Sequence, residues 1–525
     1  MGTDIDSFIE RISQHNSNCY FHNLKFDGHF ILDWLFRHEY IHVISDTIKR
    51  SGRFKSLISD MGKFYSLTVK WENGHTTEFR DSLKKFSPNM SVERLAKTFQ
   101  LGEVKGEIDY DAPRPVGHVL TDEERDYLRR DVSIVAQAMK VVLDNNMKKL
   151  TIGSDSLHEY KQITGLHKFE SLFPVLSEAM DSEIRRAYRG GFTYRDERFG
   201  GRLVGPGIVF DVNSLYPAMM KNRPLPYGEP IFVEGLPVAT ATRPLSIFSV
   251  TFTAKIKPNH IPCIQIKGHS IFAETEYLRE IKEPTSLMVT NVDWELYKEH
   301  YDIDVLSYEG GWLFKAAYGM FDEYIDKWSK IKAESKGGQR EIAKLHLNSL
   351  YGKFASNPHI SSKIPVLEDN KVKFKRGDDE LRNPVYTAVG VFITSYGRDV
   401  TIRSAQQNYD RFAYADTDSI HLIGKEVPTN IEVHKSNLGA WKKEFEFEKA
   451  FYIRPKAYIE KPYAEYVDNE SVHEYVVHIA GLPDKVTRNI TFDDMIDHKV
   501  FHGKMIPRSV PGGVILIDVP FELKL

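Results

Sequence analysis

The run YADTDSIHLIG, Tyr414–Gly424, begins and ends like a buried β-strand, yet its middle holds Asp416 and Asp418 with only Thr417 between them. In an extended strand, residues two apart point to the same face, so these carboxylates would stand about 7 Å apart on one side. Carboxylates that close repel, and one keeps its proton unless a cation intervenes. A divalent metal held by oxygen ligands removes that cost. The plain alternative is a surface turn, where Asp and Thr are common. The choice depends on whether the chain supplies a partner carboxylate and something for a metal to act on.

Asp211 is that partner. GIVFDVNSLYPAMM (207–220) starts as a buried strand, breaks near Pro217 and leaves Asp211 at its end. Acids brought from separate strand ends are what a two-metal site needs; a cap on the following turn is the alternative. KLHLNSLYGKF (344–354) adds a helix on which Lys344, Asn348 and Tyr351 share one face, while Leu345 and Leu350 hold the other side. Lys binds phosphate as a compact charge, and an aromatic ring offers stacking. Lys332, Arg340 and Lys353 flank the helix and concentrate positive charge. A solvated polar face is the alternative for this helix taken alone.

The chain has 525 residues, 41% hydrophobic and 12% aromatic, enough for about three or four domains. Net charge is −3, so attraction to nucleic acid must come from local basic patches. Two cysteines, Cys19 and Cys263, exclude a disulfide framework and fit a reducing cytosol. No apolar run reaches the length of a membrane span. The opening MGTDIDSFIERI is acidic and unlike a signal peptide, and Asp6 stands where a myristoylation signal needs Ser or Thr. There is no internal repeat.

Residues 1–150 read as alternating helix and strand, with a long helix in DEERDYLRRDVSIVAQAMKVVL capped by Thr121. Residues 151–190 read as a linker ending in YRGGFT, whose glycine pair indicates a tight turn. Residues 223–315 show many short β-like runs and prolines. FDEYIDKWSKIKAESKGGQREIAKLHLNSLYGKFA reads as two helices split at Gly337-Gly338. Residues 359–385 form a polar hairpin, VYTAVGVFITSYGRDVTIRSAQQ returns to helix, and VPGGVILIDVPFEL closes a small β subdomain.

At this point the sequence resembles a known family. DVNSLYP, KLHLNSLYG and YADTDS are similar to motifs A, B and C of the family B DNA polymerases. YRGGF, TSYGR (394–398) and KAY (456–458) are similar to its Tyr-x-Gly-Gly, Thr-x-x-Gly-Arg and Lys-x-Tyr motifs. FHNLKFDG, LPYGEPI, LNSLYGKFASNP and DTDSIHL further resemble the protein-primed polymerases of small tailed phages, the phi-twenty-nine-like type. The likeness runs nearly end to end in motif order.

The resemblance implies an α+β and α/β multidomain chain: a right-hand polymerase of palm, fingers and thumb behind an RNase H-like exonuclease domain that looks truncated. The implied divisions are a truncated exonuclease-like domain (1–150), a linker and first palm part (151–222), and an insertion contacting a terminal protein (223–315). Fingers (316–358), a second insertion for processivity and strand displacement (359–382), palm (383–484) and thumb (485–525) follow. Two magnesium ions, with manganese able to substitute, are implied on Asp211, Asp418, Asp416 and the Val212 carbonyl, with the three aspartates catalytic. Lys332, Lys344, Asn348, Tyr351 and Tyr216 would bind the incoming nucleotide, Tyr216 crowding a 2′-hydroxyl. Tyr188, Gly190, Gly191, Thr394, Arg398, Lys456 and Tyr458 would contact DNA. Lys363, Lys371, Lys373, Lys375 and Arg376 would lie against phosphates. Partners implied are primer-template DNA, deoxynucleoside triphosphates and a terminal protein serving as primer, with no membrane. The enzyme would act as a monomer in the cytoplasm of an infected bacterium, replicating a phage genome.

The chain departs from the family in its exonuclease part. Asn23, Phe26 and Asp27 match the second exonuclease motif, Tyr127 and Asp131 the third, Lys105 the auxiliary lysine, and Ser82-Leu83 the single-strand contact. The first motif, Asp-x-Glu on an opening strand, is missing: Asp4 and Asp6 precede a helix. The expectation is a chain that starts inside the exonuclease domain, with proofreading lost or impaired and one sheet edge uncovered. Competing readings are a nuclease with a vestigial polymerase body, a non-catalytic DNA-binding or terminal-protein-docking remnant, and a reverse transcriptase. The retained Asp211 and Asp418 weigh against the first two, and the Lys344 helix with Tyr216 against the last.

Overall fold

The computed structural model describes all residues except 1–3, 45–46, 89, 110–111, 115–116, 267–276, 467–473 and 525. Helix α1 (Ile5–Ile12) starts at Asp4, whose carboxylate accepts the Ser7 N–H at 2.7 Å. The first sheet comprises β1 (Ser17–Phe21), then, after α2 (Leu24–Arg37), β2 (Ile41–His42), β3 (Arg53–Ile58), β4 (Phe64–Lys70) and β5 (Thr76–Asp81). Its order is β1-β5-β4-β3-β2. Among the described residues β1 pairs only with β5, so it is an edge. Phe64, Leu67 and Val69 on β4 meet Leu24, Ile31 and Leu35 of α2 in one core. Helix α3 (Val92–Phe99) and the long α4 (Asp122–Asp144) follow, the latter opened by a Thr121–Glu124 capping box.

The stretch read as a linker is instead helical: α5 (Ile152–Thr164), α6 (Leu166–Leu172) and α7 (Glu178–Arg185). Tyr160 of α5 is buried and stacks on Phe321 at 4.7 Å, so its aromatic positions serve a core that local spacing does not show.

The central sheet uses β6 (Thr193–Arg195), β7 (Leu203–Val204) and β8 (Gly207–Val212), which leads into α8 (Leu215–Asn222). Next comes a separate antiparallel sheet made by β9 (Leu225–Val233), β10 (Leu245–Ile256), β11 (Glu280–Thr290) and β12 (Tyr301–Ala317), ordered β11-β10-β12-β9, with α9 (Asn291–His300) between β11 and β12. These strands are 9 to 17 residues long, not the short runs expected. Proline punctuation misleads here: Pro226, Pro230 and Pro284 lie in β9 and β11, the two edge strands, where a missing N–H is tolerated.

Helices α10 (Asp322–Glu334) and α11 (Gly337–Phe354) part at Ser335-Lys336, and the glycine pair opens the second helix rather than splitting the two. Gly337 has φ +54°, and a Cβ there would meet the Phe99 carbonyl oxygen at 2.9 Å, so α3 abuts the start of α11. Strands β13 (His359–Glu368) and β14 (Lys371–Leu381) form the expected hairpin, turning at Asp369-Asn370, both with positive φ. Val372 of β14 is buried in the core of the first sheet.

Helix α12 (Thr387–Gln407) is buried along most of its length. Strands β15 (Phe412–Asp416), β16 (Ser419–Ile423), β17 (Trp441–Arg454), β18 (Ala457–Pro462) and β19 (Val476–Ile479) complete the eight-stranded sheet, β19-β18-β17-β8-β16-β15-β6, with β7 on β17. The C-terminal part holds α13 (Asp484–Thr487), β20 (Val500–Phe501), β21 (Met505–Val510), β22 (Gly513–Asp518) and β23 (Phe521–Glu522). The Pro-Gly-Gly stretch turns β21 into β22, and this hairpin rests on α2 and β14.

Candidate active site

Asp416 and Asp418 do not lie along one strand. Asp416 ends β15, Ser419 begins β16, the two residues pair, and Thr417 between the acids has φ +62°. The acids therefore stand at the tip of a tight turn, but one folded against the protein body. The Thr417 N–H donates to the Phe192 carbonyl at 2.7 Å, and its carbonyl accepts the Thr401 hydroxyl at 2.8 Å. Gly191 passes so close that a Cβ there would lie 2.6 Å from the Thr417 side chain. The second glycine of YRGGF is thus required by the Asp416–Ser419 hairpin.

The turn divides the acids. Asp416 accepts Lys456 Nζ at 2.8 Å on both oxygens and the Thr193 hydroxyl at 2.9 Å. Lys456 thus balances the Asp416 charge. Among the described residues neither Asp418 nor Asp211 forms an ion pair, although the Lys442 and Lys332 charges act on Asp211 and the Lys456 charge on Asp418. Ser419 pairs with Asp211 across β16 and β8, and the Val212 N–H donates to the Asp418 carbonyl at 2.7 Å. Val212 thus contributes its N–H to the hairpin, and its side chain is buried. Burial raises the proton affinity of both carboxyls; the Asp418 charge raises that of Asp211 further, and the Asp416 charge that of Asp418.

Asp211 faces a cavity of about 770 Å³. Its basic wall consists of Lys97, Lys332, Arg340, Lys344, Lys435 and Lys442, and its acidic groups are Asp211, Glu341 and Glu444. Lys332 donates to the Ser214 hydroxyl at 2.9 Å; burial, then the Arg340 and Lys344 charges, depress its proton affinity. Lys344 and Asn348 are exposed on α11. The Tyr351 ring lies 4.3 Å from that of Tyr216. Of the nucleotide-binding set expected from sequence, Lys332 and Lys344 line the cavity and Tyr216 meets Tyr351. Sequence reasoning missed Lys97, which comes from α3 in the N-terminal part, and Lys442, hidden in the charged run KKEFEFEK.

Among the described residues, no three His, Cys, Asp or Glu side chains gather as a ready metal cage. Asp211 in the wall of a basic cavity, with Asp418 on the neighbouring hairpin, still suits magnesium, which is usually held by one or two carboxylates together with substrate phosphates.

A family model described as "DNA polymerase type B, organellar and viral" matches residues 9–116 and 105–437. The chain is 42% identical to the DNA polymerase of Bacillus phage phi29 over 544 residues, covering 100% of this chain and 93% of that protein. It is 32% identical to the DNA polymerase of Streptococcus phage Cp-1 over 534 residues, covering 99% and 90%. The chain belongs to the type B DNA polymerases. A solved structure of Phi29 DNA polymerase complexed with primer-template DNA and incoming nucleotide substrates is similar to it at a TM-score of 0.92 and 42% identity, covering 100% of this chain and 94% of that one.

Within this polymerase, two residues expected on DNA are buried instead. Arg398 is 2% exposed. It forks onto Asp293 of α9 (2.7–3.1 Å) and donates to the Arg189 and Gly190 carbonyls at 2.8 Å each. Thr394, 1% exposed, donates back to the Gly390 and Val391 carbonyls. Arg398 thus supports the Tyr188–Gly191 loop, and Tyr188 is half-buried there. Tyr458 packs on Tyr414 at 5.0 Å and stacks on His478 at 5.6 Å. In the polymerase's N-terminal part, the Asn23 and Leu83 N–H groups both donate to Asp81, a carboxylate that sequence reasoning missed. Ser82 is fully buried, within hydrogen-bonding distance (3.0 Å) of His22 Nδ1, so its side chain does not face a strand of DNA. Phe26 packs on Phe30 at 5.6 Å. Burial pushes the Asp27 carboxyl up to about 6, Lys105 lies 6.0 Å from the Tyr127 ring centre, and Asp131 Oδ1 is buried without a hydrogen-bond partner.

Proposed function

We propose that this polymerase extends a 3′-hydroxyl, or a hydroxyl of a terminal protein, by template-directed transfer of deoxynucleotides, displacing the strand ahead. The observation that carries the reading is Asp211 in the wall of a cavity with six basic side chains, on a strand whose next residue, Val212, bonds to the Asp418 carbonyl. Asp211 and Asp418 would hold two magnesium ions, which lower the proton affinity of the attacking hydroxyl and neutralise the leaving pyrophosphate. Lys332, Lys344 and Arg340 bind the triphosphate, so its negative charge meets fixed cations rather than water. Tyr216 and Tyr351, in contact, form an apolar floor for the sugar and base. Lys456 keeps Asp416 neutralised, which limits the repulsion that the two ligand carboxylates feel. A relative in complex with primer-template DNA and nucleotides supports DNA and nucleoside triphosphates as partners here.

The β9–β12 sheet is the proposed terminal-protein contact. The β13–β14 hairpin, docked through Val372 and through an Asp60 N–H to Ser361 carbonyl bond of 3.1 Å, is the proposed processivity element. Residues 1–150 are proposed to guide single strands with little 3′→5′ hydrolysis, because Asp27 and Asp131 lack further free carboxylates among the described residues and Asp81 is saturated. Primer extension on a circular single-stranded template, with magnesium and with a chelator, tests the reading. Long displaced products are expected, and none from Asp418→Ala; normal extension by that variant would refute the site. Rapid loss of an end-labelled mispaired primer without nucleotides would refute the impaired exonuclease.

A further inference from the structure

We infer that Lys442 is a nucleotide-affinity residue that leaves Glu444 to bind the distal phosphates of the incoming nucleotide; this rests on the polymerase reading above. Lys442 lies directly opposite Asp211 in the β17–β8 ladder. Side chains directly opposite across a ladder share a face, so the Lys442 ammonium is held beside the carboxylate around which the reaction is built. Glu444 follows in a bulge of β17, where the register shifts between Lys443 and Phe445. Such a bulge re-aims a side chain, and bulges recur beside active sites. Two residues on from Lys442, Glu444 lines the same cavity.

Lys442 Nζ donates to Glu444 Oε1 at 2.7 Å, and the two side chains are 38% and 37% exposed. An exposed pair of this kind is weak and separates readily. The cavity wall carries six basic and three acidic side chains, an excess that suits a polyanion. Of its other cations, Lys332 is fixed on Ser214, Lys344 is 4.0 Å from Glu341, and Lys97 is 3.1 Å from Glu93. The Lys442 and Lys332 charges both favour ionised Asp211, whereas Glu444 opposes it. When a triphosphate enters, Lys442 exchanges one carboxylate for several phosphate oxygens, and Glu444 is released to solvent. No bond is made or broken in this exchange.

Single-nucleotide incorporation on a primed template separates the outcomes. In Lys442→Ala the KM for the nucleotide should rise about tenfold, the size of one charge-assisted contact, with kcat changed less than threefold. Inhibition by added pyrophosphate should weaken to a similar degree. Lys442→Arg should recover most of the affinity, and Glu444→Gln should keep or lower the KM. An unchanged KM in Lys442→Ala, or a fall in kcat at constant KM, would overturn the inference while wild-type extension leaves the polymerase reading standing. A weakened affinity for primer-template in a gel shift, with the nucleotide KM unchanged, would also overturn it. A wild-type chain that extends no primer would remove both.

Discussion

Replacing Asp293 with asparagine keeps the side-chain shape and removes the charge opposite Arg398. The pair is 1% and 2% exposed. Burial pushes the Asp293 carboxyl up, and the guanidinium more than offsets this, holding it below its ordinary value. Removing one partner of a buried ion pair costs about 3–5 kcal/mol, because the remaining charge is stranded. Asparagine retains an acceptor, so the lower end, about 3 kcal/mol, is the expected loss. With an unfolding entropy of about 2 cal/mol/K per residue, that corresponds to a Tm lowered by about 3 °C if the whole chain melts together. Arg398 also anchors the Arg189 and Gly190 carbonyls, so loosening it frees the loop whose Gly191 covers the catalytic turn. The second arm is Asp293→Leu with Arg398→Met, which replaces the pair by apolar groups and can be near neutral for stability. The assay is a thermal melt alongside a gel shift with primer-template DNA. The single variant should lose both stability and DNA affinity. The double variant should recover part of the melt but not the affinity, since both carbonyls remain without their donor. A single variant melting within 1 °C of wild type, or a double variant with full DNA affinity, would refute this account.

Asp418→Asn should reduce primer extension by at least about a thousandfold, the scale of losing a charge that stabilises the transition state. Asp416→Asn, whose partner is Lys456, should cost only about ten- to a hundredfold in a steady-state assay; equal losses would place Asp416 on the metals. His300 is 2% exposed, with Nδ1 2.7 Å from the Ile261 carbonyl, and burial depresses its value to about 4. The unfolded chain therefore takes up this proton first, so the stability His300 contributes is present above pH 6.5 and lost as pH falls to 4, by at most about 3 kcal/mol. His300→Gln should flatten urea-denaturation stability over that range relative to wild type, and identical pH slopes would count against it. Deleting residues 359–382 should shorten products on the circular template and destabilise the first sheet, which loses Val372; undiminished product length would exclude a processivity role.

The catalytic pieces were readable in the sequence because each lies in a short local segment: the strand ending at Asp211, the helix bearing Lys344 and Tyr351, and the hairpin bearing Asp418. Local spacing could not show that Asp416 and Asp418 flank a turn. Residues two apart share a face in a strand, and only the Asp416–Ser419 pairing together with the positive φ at Thr417 reveals the reversal. The partners that divide their roles are remote in sequence: Lys456 lies 40 residues from Asp416, and Asp293 lies 105 from Arg398. Charge also hid function. Lys442 sits in a run that reads as an ordinary solvated edge, and its significance appears only once the ladder sets it against Asp211. Arg398 shows the converse: a motif arginine that reads as a DNA contact is buried and acts through backbone carbonyls. What the sequence exposes is the set of groups that must meet substrate. The groups that hold those in place are chosen by register and burial, and they are where substitutions should disturb DNA binding without touching DNA.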